Sequence, residues 1–229
     1  LIPESKNIFT KTPTGQKPNK DKTMNLKTKL TLVLATAVSA VSGLAQTTNG
    51  TLGLRYVSAE LTVIDPSYTK TNGYDVAIGV NLPVSANLDV SFGYDYDWLN
   101  VQGVHGRDHT LSAAAVAYAP YAGVKPFAAV GLDYSWSSIK SGGYTVRDDA
   151  GGWAVGAGVE IPAGVVTVTP SIAYHDGFRS DATGSTQYGV TVDHWFSAKV
   201  NGYVGLAYAD ANGSSVNVWG YSAGVRLRF

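Results

Sequence analysis

The chain has 229 residues, with 17 Lys and Arg against 17 Asp and Glu, 26 glycines and no cysteine. Without cysteine there is no disulfide, no thiolate chemistry and no lipid attachment at an N-terminal Cys. Seven of the basic residues but only two of the acidic ones precede Gln46, so residues 46–229 are mildly acidic, which argues against a nucleic-acid partner.

Residues 1–23 are polar and Lys-rich and lack apolar periodicity; they read as upstream sequence, non-native or disordered, outside the fold. Met24 opens a short basic segment with Lys27 and Lys29, followed by the apolar run 30–40 and the small-residue site Gly43-Leu44-Ala45. This pattern predicts a signal peptide over residues 24–45 with cleavage before Gln46, because the apolar core is too short to cross a bilayer as a helix. Residues 46–229 suffice for one domain and hold no run long enough for a transmembrane helix.

From Gly50 onward the chain alternates with period 2 between turn signals, and no segment carries a helical period. The pattern predicts ten strands, over residues 50–63, 73–82, 88–99, 108–118, 125–137, 150–161, 165–175, 186–196, 200–209 and 216–229. In the first, Leu52, Leu54 and Tyr56 share a face but Leu61 and Val63 switch parity, which predicts a bulge or an early strand end. Strand two presents Tyr74, Val76, Ile78, Val80 and Leu82, and strand three Leu88, Val90, Phe92, Tyr94, Tyr96 and Trp98. A tight hairpin centred on Ser85 pairs Ile78 with Phe92 and Val80 with Val90; on the opposite face it pairs Asp75 with Asp95 and Asn81 with Asp89. Strand four is Ala-rich, and its facing rests on Val116 and Tyr118.

Strand five separates Val130, Leu132, Tyr134 and Trp136 from Ala129, Gly131, Asp133 and Ser135. Strand six separates Trp153, Val155, Ala157, Val159 and Ile161 from Ala154, Gly156, Gly158 and Glu160. The last strand is the strictest: Trp219, Tyr221, Ala223, Val225, Leu227 and Phe229 alternate with Gly220, Ser222, Gly224, Arg226 and Arg228.

The connections alternate between short turns after the even strands and mostly longer Gly-, Asn-, Asp- and Ser-rich loops after the odd ones. That asymmetry predicts an all-β fold: a closed, antiparallel, up-and-down transmembrane β-barrel of ten strands, or eight if a weak pair is misassigned. Small and polar residues suit a narrow lumen. The large aromatics, among them Tyr74, Trp98, Tyr134, Trp136, Trp153, Tyr208 and Trp219, gather toward the loop ends as an interfacial girdle would. Closure follows from the medium, since backbone groups in hydrocarbon need internal partners and the last strand must therefore pair with the first.

On the inner face the pattern places Asp75 opposite Asp95, with Asp97 one step higher and His109 beside it, while His175 looks across the same opening. Directly opposed carboxylates are unfavourable without a cation, proton or basic side chain between them. Lower down, Lys125 falls opposite Glu160, and Arg55, Arg226 and Arg228 line the closing seam with Asp89 or Asp193 as partners. The expectation is a lumen charge network that stabilises the wall or tunes ion passage. No metal-ligand spacing or Ser/His/acid arrangement stands out, and His105 and His194 have no evident partner.

The final strand resembles the closing strand of bacterial outer-membrane β-barrels, in which a terminal Phe and alternating apolar residues, here Phe229, Leu227, Val225 and Tyr221, form the signal read by the barrel-insertion machinery. Residues 46–229 as a whole resemble small opacity-type, porin-like outer-membrane barrels. The resemblance implies an integral outer-membrane protein of a Gram-negative-type bacterium, structural or a small passive pore for ions or small solutes, surrounded by lipid, without enzymatic activity or cofactor.

Two alternatives stand beside it. The run Asp95-Tyr96-Asp97 and the run His175-Asp176 resemble the acid pair and Asp/His pair of omptins, which implies a hydrolase acting through Asp95, Asp97 and His175. Adjacent His175 and Asp176 face opposite ways in a strand, however, whereas the omptin pair shares a face. A small adhesin using residues 138–149 and 176–185 is the other.

Overall fold

The computed structural model describes residues 51–66, 73–101, 104–141, 144–179, 184–211 and 217–229; the expected signal peptide and the upstream segment lie outside them. Ten strands form, β1 (Tyr56–Pro66), β2 (Gly73–Ser85), β3 (Leu88–Val101), β4 (Val104–Tyr118), β5 (Lys125–Ser141), β6 (Tyr144–Ala163), β7 (Val166–Gly177), β8 (Ser185–Trp195), β9 (Val200–Ala211) and β10 (Asn217–Arg228). Each pairs antiparallel with its neighbours in sequence, and β10 pairs with β1 from Tyr56↔Arg228 to Pro66↔Val218, so the sheet closes without an edge. The eight-stranded alternative is thereby removed.

Sidedness follows the chemistry of the alternation. Ile78 is 55% and Phe92 50% exposed, and Leu61, Leu111, Val130, Leu132, Ile172, Val204 and Leu227 also face out, on strands around the whole circumference. Asp75, Asp95, Thr110, Thr169, Asn201 and Arg226 are buried within. In water an apolar belt of this extent would be a strong association surface; wrapped around a closed barrel, it is the surface that hydrocarbon covers. Aromatic contacts such as Tyr74 with Trp98 (5.5 Å between centroids), Trp153 with Tyr174 (5.6 Å) and Tyr208 with Trp219 (5.0 Å) tie the girdle residues together near the loop end.

Three expectations are corrected. The first strand begins at Tyr56 rather than near residue 50, and the parity change needs no bulge: Leu52 lies in a turn that precedes the strand. The β2–β3 register is displaced by two residues, pairing Ile78 with Tyr94, Val80 with Phe92 and Asp75 with Asp97. The hairpin turns through Ala86 and Asn87, and the ladder slips between Pro83 and Ser85, where proline supplies no N–H and Val84 bulges outward. A shift of two leaves every side chain on its assigned face. Third, most of residues 100–107 and 138–149, read as loops, is strand: β3–β4 pairing continues to Val101↔Val104 and β5–β6 pairing to Ser141↔Tyr144.

Candidate functional site

The site is the lumen, and it divides by depth. At the turn end, residues 51–54 fold back into the barrel mouth before β1 begins. Thr51 and Leu52 are 1% and 2% exposed, and their amides both donate to Glu160 Oε1, at 2.8 and 3.1 Å. Gly53 N–H donates to Asp89 Oδ2 at 2.9 Å from a backbone φ of 86°, a conformation in which glycine is unstrained. Lys125 Nζ donates to the Leu52 carbonyl at 3.1 Å and stands 3.7 Å from Glu160 Oε2. Asn81 Nδ2 bridges the Leu54 carbonyl and Asp89 Oδ2, each at 2.9 Å, and Tyr118 Oη donates to Asp89 Oδ1 at 3.2 Å.

Leu52 belongs to one buried cluster with Val116, Tyr118, Phe127, Ala114, Ala129 and Ala154. The cluster gives that end of the lumen an apolar lining. Wall side chains meet the amides of Thr51, Leu52 and Gly53 and the carbonyls of Leu52 and Leu54, so the turn is held both by its leucine and by its backbone.

Beside it, Arg226 is fully buried. Its guanidinium lies 3.7 Å over the Tyr203 ring and 5.7 Å from that of Tyr56. Arg226 Nη1 donates to Asn201 Oδ1 (2.9 Å), and Asn201 Nδ2 donates to Asp193 Oδ1 (2.8 Å). The expected Arg226–Asp193 partnership thus runs through an asparagine. Arg55 and Arg228, expected in the same network, are instead exposed at the rim, where Arg228 N–H donates to the Lys199 carbonyl (2.8 Å) and the Arg55 carbonyl accepts from Phe229 N–H (3.4 Å).

Toward the loop end the inner wall of β1–β5 is acidic. Asp75, Asp97 and Asp108 stand in one cross-strand row, and Glu60, Asp95 and Asp133 lie in the rows toward the turn end. The opposite wall offers Thr169, Ser171, Gln187, Thr191, Ala207 and Ser222. His109 is not part of this wall. It points outward, stacked on Trp136 (5.3 Å, 4° between planes), with its Nδ1 2.8 Å from Tyr94 Oη. The register explains this: Asp97 faces Asp108, and His109 lies opposite the outward Tyr96.

His175 does face in, and its Nε2 sits 3.0 Å from Asp133 Oδ2. The two belong to β5 and β7 and meet across β6 at Gly152, where an added Cβ would lie 2.6 Å from His175 Nε2 and 2.9 Å from Asp133 Oδ2. Among the described residues the hydrogen bonds of His175 include none to Asp95 or Asp97. Asp176 accepts from Tyr174 Oη (3.1 Å), on the outer face. Asp133 and Gly152 were legible as inward positions from parity; Asp108 was not, because the facing taken from Val116 and Tyr118 put His109 inside, whereas Val116 and Tyr118 are themselves buried in the lumen and share their face with Asp108. That His175 reaches across a glycine needs the stagger of three strands. Among the described residues no three His, Cys, Asp or Glu side chains are placed to hold a metal ion. At the rim, Arg179 Nη1 pairs with Asp148 Oδ1 (2.8 Å), both exposed. His194 Nδ1 lies 2.7 Å from the Val165 carbonyl.

A family model described as Gram-negative porin matches residues 27–214. Among solved structures, the translocator domain of the autotransporter NalP from Neisseria meningitidis is similar with a TM-score of 0.56 at 10% identity, covering 88% of this chain and 98% of that one. Neisserial surface protein A is similar at 17% identity and TM-score 0.45, covering 76% and 97%. The N-terminal β-barrel domain of Pseudomonas aeruginosa OprF is similar at 14% identity and TM-score 0.37, covering 76% and 97%. No curated protein matches the chain in sequence.

Proposed function

The chain belongs to the Gram-negative porin family, and from that premise we propose that it is a narrow passive pore held shut at rest by its own residues 51–54. It is an integral barrel of the outer membrane. The observation that carries the closed state is the seating of Thr51 and Leu52 in the lumen with both amides on Glu160. Ten strands enclose too little space for anything but ions and very small solutes once such a turn occupies one end. Short turns and both ends of the sheet on one side favour a periplasmic position for the turn and leave the acidic wall toward the outside.

The same reading gives the remaining groups their parts. Phe229, Leu227, Val225 and Tyr221 lie exposed on the outer face of the closing strand, where the insertion machinery can read them as the chain assembles. Residues 24–45 direct export and are removed. The Asp133–His175 pair acts as a strut between β5 and β7 and not as a catalytic dyad, and the barrel is not an enzyme.

Planar-bilayer recording on the refolded protein tests the pore. The expected record is a mostly silent bilayer with brief, small, discrete openings. Large steps that stay open from the moment of insertion would contradict a seated turn, and complete silence over long recordings at high voltage would reduce the protein to a structural barrel.

A further inference from the structure

We propose that the outer face of β4–β6 at the loop end is a docking surface for the phosphorylated glycolipid of the outer leaflet, whose phosphates Arg107, Lys140 and Arg147 hold. The proposal rests on the orientation given above, loops outward, and not on the barrel's being a pore.

Register assembles the surface from three strands. Ser138 faces Arg107 on one side and Arg147 on the other, and one outward position nearer the loops Lys140 faces His105. These basic side chains are all exposed, whereas Ile139, between Ser138 and Lys140, is buried, so both rows look away from the lumen. Neighbouring strands about 4.8 Å apart put the backbones of Arg107 and Arg147 roughly 10 Å from each other, with a serine side chain between them. Two guanidinium groups flanking so small a residue can close on one phosphate from both sides, each as a planar fork.

The aromatics set the depth. The outward row below the arginines is Tyr96, His109, Trp136 and Asp149, in which His109 and Trp136 stack, and Trp98 stands beside Arg107. The arginines lie two residues beyond that stack, which for tilted strands is roughly 5 Å along the membrane normal, with Lys140 at about twice that height. An aromatic girdle marks the edge of hydrocarbon, so this is headgroup level.

Charge on the outer face is also segregated. Among the described residues the outward charged side chains at the loop ends of β1, β7 and β9 are Asp65, Asp176 and Asp210. Arg107, Lys140 and Arg147 form no salt bridge among the described residues. The acids nearest them in register are engaged elsewhere: Asp149 accepts from Tyr134 Oη (3.0 Å), and Asp148 pairs with Arg179. Like charges side by side on a sheet repel, and a shared anion converts that repulsion into attraction. At this height the outer leaflet of a Gram-negative outer membrane presents such an anion, the phosphate groups of its glycolipid.

The refolded barrel in nonionic detergent is titrated with bisphosphorylated lipid A, with lipid A stripped of its phosphates, with phosphatidylglycerol and with inorganic phosphate, and the unfolding temperature reports binding. Each Lys or Arg at an anionic lipid surface strengthens attachment by about fivefold, so bisphosphorylated lipid A should act at concentrations roughly a hundredfold below the stripped form. Arg107→Gln/Lys140→Gln/Arg147→Gln should erase that difference, and Lys199→Gln/Arg228→Gln, at the opposite end, should keep it. Equal responses of the wild type to the two forms of lipid A would overturn the proposal, and this comparison needs no variant to fold. An equal response to phosphatidylglycerol would reduce the surface to general attraction for anionic lipid, and an equal response to inorganic phosphate would make it a free-anion site; either overturns the assignment. Orientation is read separately, with a membrane-impermeant maleimide on intact cells carrying Tyr144→Cys, since the chain has no native cysteine. Labelling is expected. Labelling only after the outer membrane is broken would overturn the outer-leaflet assignment even where the lipid A response is found, and would place the error in the orientation and not in the binding.

Discussion

Replacing Glu160 with leucine is expected to unseat residues 51–54 and raise the open probability in bilayers by about a hundredfold or more. Glu160 Oε1 is the acceptor for two buried amides, those of Thr51 and Leu52, and Oε2 stands beside Lys125. Each hydrogen bond to a charged acceptor contributes on the order of 1.5–3 kcal/mol, and an orphaned buried N–H carries a penalty of similar size. Losing both therefore weakens the closed state by roughly 3–6 kcal/mol, and about 1.4 kcal/mol is a factor of ten in population. The seated leucine offsets only part of this, because burial of one such side chain contributes about 1.5–3 kcal/mol. Glu160→Gln keeps an acceptor at the same place and should open far less than Glu160→Leu. Single-channel recordings that show the same open probability for wild type and Glu160→Leu would remove residues 51–54 from the gating account.

Arg226→Met is expected to lower the unfolding free energy by about 3–5 kcal/mol, the loss that follows when one partner of a buried polar network is deleted. Asn201 would lose its donor, Asp193 would lose the positive end of the relay, and the Tyr203 ring would lose the guanidinium stacked 3.7 Å above it. Methionine fills much of the volume, so the deficit reports on charge and hydrogen bonding more than on a void. Arg226→Lys should fall between the two, since an ammonium retains the charge but cannot present a flat face to Tyr203 while donating sideways to Asn201. Urea unfolding of the refolded barrel in lipid vesicles reads the order directly, and a Met variant with the wild-type midpoint would show that Arg226 is not structural.

Much of the architecture was legible because a barrel in lipid is specified by period-2 alternation over its whole length. Ile78 and Phe92 declare the outer face, Gly79 and Gly93 the inner, and the last strand's pairing with the first is forced by the absence of water at any open edge. What alternation could not give is longitudinal position. A two-residue slip at Pro83 keeps every face and yet exchanges Asp95 for Asp97 opposite Asp75. In the same way parity assigned His175 inward but could not say that Asp133, two strands away, would be its partner across Gly152. The turn at residues 51–54 was hidden for a further reason: Leu52 and Leu54 fit a strand pattern locally, and the side chains that hold the chain in the lumen, those of Asn81, Asp89, Lys125 and Glu160, lie far downstream, Glu160 by 109 residues from Thr51.

The most direct test of the account's central claim is a cysteine scan along residues 90–96 of β3 in the refolded protein, which has no native cysteine to interfere. Spin labels at these positions, read for collisions with oxygen dissolved in lipid, should alternate with period 2, with maxima at Phe92, Tyr94 and Tyr96 and minima at Ser91, Gly93 and Asp95. Maxima at the second set, or no alternation at all, would mean that the apolar rows face inward and that this is not a membrane barrel.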